Sequence, residues 1–232
     1  MPDNARGEPR RHSVDRHGAW SMAHLQYCSM LADAARYIVF KPDSILCELG
    51  PGLGRNVEII ARLFADATVL IFDIPPQLYV ANQYLTAVFG PRVVPYRRAV
   101  SIVPDPAGEL PESVKGKIII LPSWRMPAWA STRIDVFWNS ASFQEMEPDV
   151  VRNYLKLVVE MRARWIYINA MPGGNYWGEW KPGSGGTKER VLDAYYVEAL
   201  AGSYVLAHTY DTDYFLSRRD HRSYVFERVG SR

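Results

Sequence analysis

The segment LCELGPGLGR, residues 46–55, places three glycines at alternate positions behind a short apolar run and ahead of an amphipathic stretch. Glycine opens backbone conformations closed to other residues, and strand, bare turn and helix in that order form the unit from which parallel sheets are wound. SILCEL (44–49) reads as a buried strand and NVEIIARLFA (56–65) as the helix after the turn. The alternation continues with TVLIFD (68–73) as a strand and PPQLYVANQYLTAVFG (75–90) as a helix, proline in its first turn and Gly90 at its stop. KIIILP (117–122), RIDVFW (133–138) and RWIYIN (164–169) add three buried strands, with the helical pattern EPDVVRNYLKLVVEMRA between the last two. Residues 91–116 read as a connection. In the tail, SYVLAHTYDTDYFL and HRSYVFERV alternate like strands around a charged turn. The expected fold is therefore Rossmann-like α/β, a mostly parallel sheet with helices on both faces and an antiparallel C-terminal hairpin.

Ahead of this frame, residues 20–40 place Leu25, Cys28, Leu31, Ala35 and Ile38 at helical spacings, and Pro42 ends the pattern. The first 18 residues are polar and arginine-rich, which predicts a mobile arm over 1–18 and a single domain over 19–232. A chain of 232 residues, 48% hydrophobic, is sized for one core. Its 27 basic and 25 acidic residues are too nearly balanced to grip nucleic acid by charge, so a small-molecule or oligosaccharide partner is expected and a homo-oligomer stays open. The only cysteines, Cys28 and Cys47, argue against a disulfide framework. With no apolar run near the roughly 20 residues of a membrane span and no signal-like start, the cytoplasm is the expected location.

A strand, a glycine turn and a helix N-terminus present backbone amides to a ligand, which suits a dinucleotide or S-adenosylmethionine. A dinucleotide turn is written G-x-G-x-x-G, but here Gly50, Gly52 and Gly54 give G-x-G-x-G and Arg55 occupies the position of the third glycine. Asp73, at the end of the second strand, is placed to accept hydrogen bonds from ribose hydroxyls in either case. Ser123 and Trp124 end the third strand, where one can hydrogen-bond an adenine and the other stack on it, with core packing the alternative for Trp124.

Glu48 completes E-x-G-x-G-x-G, which resembles the first motif of the class I S-adenosylmethionine-dependent methyltransferases. DIPPQLYVANQYL after the second strand, LPSW after the third and FWNSASFQEMEPDVVRNYL across the fourth resemble the sugar O-methyltransferase family, over just over half of the chain. The resemblance implies that Glu48 helps to hold the cationic methionine end of the cofactor. It also implies that Asn139, Ser142, Gln144 and Glu145 lie beside the transferred methyl, with Asn139 on the cofactor and Ser142 and Gln144 toward the acceptor. Methyl transfer to a hydroxyl needs a base, for which Glu145 is the first candidate, the rival reading being an acid at a helix start. His208, near Asp211 and Asp213 in AHTYDTD, is the second base candidate and the alternative is a surface histidine. That trio is also the nearest thing to a site for a divalent ion such as Mg2+, although its spacing matches no defined metal loop. The glycine-rich stretch MPGGNYWGEWKPGSGGTKER (171–190) is placed to act as a lid, with Tyr176 and Trp177 suited to a sugar face. The implied acceptor is a saccharide hydroxyl, mannoside or rhamnoside. Rival readings are a non-sugar small-molecule acceptor, a non-catalytic nucleoside-binding module and an NAD-linked oxidoreductase. A nucleic-acid methyltransferase would want N/D-P-P-Y where NSAS stands.

Overall fold

The computed structural model describes residues 6, 10–15, 18–175, 187–214 and 219–230. Its elements run β1 (Arg11–Asp15), β2 (Gly18–Ser21), α1 (Met22–Ala34), β3 (Ile45–Leu49), α2 (Arg55–Leu63), β4 (Thr68–Asp73), α3 (Pro75–Phe89) and β5 (Val93–Val94). They continue with α4 (Tyr96–Ala99), β6 (Ile118–Pro122), β7 (Val136–Ser140), α5 (Pro148–Glu160), β8 (Trp165–Ala170), α6 (Asp193–Leu200), β9 (Tyr204–Tyr214) and β10 (Arg219–Arg228).

Strands β5 to β10 with β3 and β4 form one eight-stranded sheet in the order β5-β6-β4-β3-β7-β8-β10-β9. All pairings from β5 to β8 are parallel, and β10 lies antiparallel between β8 and β9. From β3 the chain winds outward through β4 to β6, then returns to lay β7 on the other side of β3. This reversal opens a crevice at the carboxyl ends of β3 and β7, where open parallel sheets bind ligands. Both faces of β3, β4 and β6 to β8 are covered, which is why these strands read as unbroken apolar runs. Cys47, Phe137 and Ile166 pack toward α5 and α6, while Leu46, Val136 and Tyr167 pack toward α1, α2 and α3.

The fold class matches the sequence expectation, with local departures. Strand β1 (Arg11–Asp15) pairs antiparallel with β2 (Gly18–Ser21). Residues 91–116, read as a connection, contain β5 and α4, and β5 contributes only two residues to the sheet edge. Helix α6, DAYYVEAL, is a further element not anticipated from the sequence. Helix α1 buries His24, Gln26, Met30, Leu31 and Ala34, and leaves Ala35 exposed at its end. Apolar residues ring that helix, so spacing alone could not select its buried face. No helix among the described residues is long and apolar enough to cross a membrane.

Candidate ligand-binding site

The glycine turn is built tightly onto its neighbours. Gly50 N–H donates to Phe72 O at 2.8 Å, and Gly54 N–H donates to Pro51 O at 2.9 Å. Gly50 has φ +76° and a Cβ added there would lie only 2.5 Å from Ser142 Cβ. At Gly54, φ +93°, the added carbon would meet Leu85 at 3.0 Å, so bareness there also lets α2 approach α3. Gly52 contributes its N–H, which donates to Asp73 Oδ2 at 3.1 Å.

Ser142 reaches Gly50 because Asn139 holds the turn after β7 in place. Asn139 is fully buried; its Nδ2 donates to Leu49 O at 2.9 Å and its Oδ1 accepts from Phe143 N–H at 3.0 Å. Its amide thus links the start of the glycine turn to the turn that carries Ser142 and Glu145. Each end of the amide bonds to backbone. Gln144 is buried and its Oε1 accepts from Met171 N–H at 2.8 Å.

Three carboxyls surround the turn. Glu48 is 3% exposed and accepts from Asn56 Nδ2 at 3.0 Å. Burial pushes its pKa up to about 8, against the Asn56 hydrogen bond and with help from the charge of Asp73. Asp73 accepts from Ile74 N–H at 2.7 Å as well as from Gly52; burial raises its pKa and these two hydrogen bonds oppose the rise. Glu145 reaches solvent, yet its crowded surroundings raise its pKa first and the charge of Asp73 second. Its carboxylate makes no hydrogen bond among the described residues, whereas Glu147 accepts from Lys188 N–H at 3.0 Å and Glu189 N–H at 3.3 Å. Arg55, the cation nearest in sequence, is turned away from the crevice. Its guanidinium lies 3.7 Å from Glu58 and 4.9 Å from the Tyr84 ring centroid, and donates to Arg6 O at 3.3 Å.

Beside Asp73, two large apolar side chains are left in solvent: Ile74 is 54% exposed and Trp124 58%. Asp73 pairs with Pro122, so Ile74 and the Ser123–Trp124 step leave adjacent strands together. The core-packing alternative for Trp124 is excluded by that exposure. Sequence reasoning missed Ile74 and Asn56; the signal for Ile74 was an apolar residue wedged between a strand-ending aspartate and two prolines.

The structure does not bring His208 to this group. It lies mid-strand on β9, opposite Val225, and stacks on Tyr37 with ring centroids 4.0 Å apart. Strands β7, β8 and β10 separate β9 from β3. Asp211 pairs with Arg222 at 2.8 Å, and no three His, Cys, Asp or Glu side chains gather to hold a metal among the described residues. Tyr176 and Trp177 lie outside the described residues.

No protein-family model matches the sequence, and no curated protein does. Solved structures do match in shape. A magnesium protoporphyrin IX methyltransferase from Synechocystis PCC 6803, solved with S-adenosylmethionine bound, superposes with a TM-score of 0.52 at 13% identity, over 88% of this chain and 79% of that one. The mitomycin 7-O-methyltransferase MmcR gives 0.54 at 12% identity, over 90% of this chain and 54% of that one. The pyocyanin biosynthetic protein PhzM gives 0.52 at 13%, over 89% and 55%. The chain thus spans about half the length of the last two.

The fold is that of the class I methyltransferases. In this class I frame, β3 carries the glycine turn, β4 ends on Asp73, and β7 supplies the turn holding Ser142 and Glu145, all at one end of the sheet.

Proposed function

We propose that the chain is an S-adenosylmethionine-dependent O-methyltransferase whose acceptor is a saccharide hydroxyl. The observation that carries the cofactor reading is the set of three carboxyls, Glu48, Asp73 and Glu145, around a glycine turn from which Arg55 is averted. Asp73 and Glu145, when ionised, repel the pyrophosphate of a dinucleotide, and the set favours a nucleoside with hydroxyls and a cationic end. The residues fit that ligand. Glu48 faces the ammonium end, Asp73 receives the ribose hydroxyls, and Ile74 and Trp124 offer apolar surface to the adenine, with Ser123 as a polar neighbour. Bound there, S-adenosylmethionine supplies an electrophilic methyl on a sulfonium. Glu145, on the turn after β7, takes the proton from the acceptor hydroxyl. The saccharide assignment is supported by the sequence resemblance across β4 to α5. The primary test is calorimetric titration with S-adenosylhomocysteine and, separately, with NAD. Binding of the first alone, followed by turnover with mannosides or rhamnosides, is the expected result; binding of NAD alone would overturn the reading.

Two outcomes follow from the acids. Asp73→Asn keeps the carbonyl but replaces one acceptor oxygen by a donor, so S-adenosylhomocysteine affinity should fall about tenfold; unchanged affinity would move the ribose elsewhere. Glu48, protonated below about 8 in the ligand-free chain, must lose its proton to receive an ammonium. Affinity for S-adenosylhomocysteine should therefore rise between pH 6 and 8, with proton release visible in buffers of different ionisation heat and absent in Glu48→Gln. For stability the sign is opposite. The raised pKa of Glu48 favours the folded state at low pH, and this contribution is lost as pH climbs from the ordinary carboxylate range through about 8.

A further inference from the structure

Helix α2 opens on Arg55, directly behind the glycine turn. A helix N-terminus attracts anions, and a guanidinium there would add a planar set of donors matched to phosphate. The first turn of α2 does reach the crevice, because Asn56, the next residue, donates to Glu48 at 3.0 Å. Arg55 nevertheless runs the other way and lines, with Leu53, Val80 and Tyr84, a hollow beside α3.

Two side chains keep it there. Glu58, one turn further along α2, is fully buried, and its two oxygens have separate partners. Oε1 accepts from Arg62 Nε at 2.9 Å. Oε2 accepts from the Tyr84 hydroxyl and lies 3.7 Å from Arg55 Nη1. The Tyr84 ring centroid stands 4.9 Å from the Arg55 guanidinium carbon, within the range of a cation–π contact. A buried carboxylate needs a counter-charge, and the bonded Arg62 already supplies one. The longer contact with Arg55 therefore matters most for Arg55, whose charge is held between a carboxylate and an aromatic face.

We propose that Glu58 and Tyr84 determine ligand specificity by holding the Arg55 guanidinium on the α3 side, which leaves the crevice to its carboxyls and keeps phosphate-bearing ligands out. The proposal rests on the cofactor reading above. Both are positioning residues, since they touch Arg55 and not the ligand. Gly52 N–H is already given to Asp73, so this amide does not offer itself to a phosphate, and an inward Arg55 is the group that would. That same inward charge would oppose a sulfonium.

The experiment titrates the full chain with S-adenosylmethionine and S-adenosylhomocysteine, with inorganic pyrophosphate as competitor. Pyrophosphate should not compete in the wild type. In Glu58→Gln, which keeps the shape and removes the charge, it should compete. The preference for S-adenosylmethionine over S-adenosylhomocysteine should also fall about fivefold, because only the former carries the sulfonium charge. Adding Arg55→Gln should abolish the pyrophosphate competition and restore the preference, an outcome that a purely structural role for Glu58 does not give. Should Glu58→Gln fail to fold by circular dichroism, Tyr84→Leu takes its place; it removes the ring beside the guanidinium, leaves the Glu58–Arg62 pair, and should give the same gain. Pyrophosphate competition no stronger than in the wild type, or competition that survives Arg55→Gln, overturns the proposal and leaves the cofactor reading standing. A wild type that binds neither adenosyl ligand overturns both.

Discussion

Gly50→Ala should weaken S-adenosylhomocysteine binding by about 30-fold or more while leaving the sheet folded. Two effects combine. At φ +76° an alanine is held in the left-handed region, which costs about 1–2 kcal/mol. Its Cβ would also fall 2.5 Å from Ser142 Cβ, so the turn after β7 must lift away from the glycine turn and take Glu145 with it. Adding Ser142→Gly removes the obstruction and should restore the steric part of the loss, leaving the backbone part. Gly52→Ala is the comparison: its φ is +56° but nothing lies within 4 Å of the added carbon, so only the backbone part should appear. Calorimetry on the four proteins, with circular dichroism to verify folding, separates these contributions. Wild-type affinity in the single Gly50 variant would mean that contact between the two turns does not shape the site.

Glu145→Gln should lower turnover about 100-fold with S-adenosylhomocysteine affinity unchanged, the separation expected of a general base. A base acts deprotonated, and burial together with Asp73 raises the pKa of Glu145. Wild-type kcat should therefore rise with pH through a value above the ordinary carboxylate range, and this limb should vanish in the variant. The rival role, an acid at a helix start, belongs to other residues. Glu147 occupies the cap of α5 and Asp149 its first turn, while Glu145 ends a separate 3-10 turn over Phe143–Glu145. Unchanged turnover in Glu145→Gln would remove it from the chemistry.

The parallel core of the fold was legible because β3, β4, β6, β7 and β8 are covered on both faces, which forces continuous apolar runs bounded by breakers. Elements lacking that constraint were not. Two-residue β5 has no length for a pattern, and α1 is apolar around so much of its surface that Ala35 looked as buried as Leu31. In the site, the placement of Glu48, Asp73 and the glycines at strand ends and in the turn was readable because the strand–turn–helix pattern fixes it. The backbone bonds of Asn139 and Gln144 were not legible, for a physical reason. A buried amide in a ligand-binding turn and a buried amide that pins two turns together have the same sequence signature, and only the partners, Leu49 and Phe143 for one and Met171 for the other, distinguish them. His208 was drawn in by chemical type, although its strand lies at the far edge of the sheet.

The Asn139 bridge also has a kinetic meaning. It joins residues 90 apart in the chain, and the crevice it closes exists only once β7 has returned to lie against β3. Contacts of such long separation form late, because the loop between them must be closed before it is rewarded. A chain that has formed β3, α2 and β4 therefore owns every glycine of the turn and still lacks the wall that Ser142 provides. A ligand held by both turns would therefore bind only once β7 lies against β3.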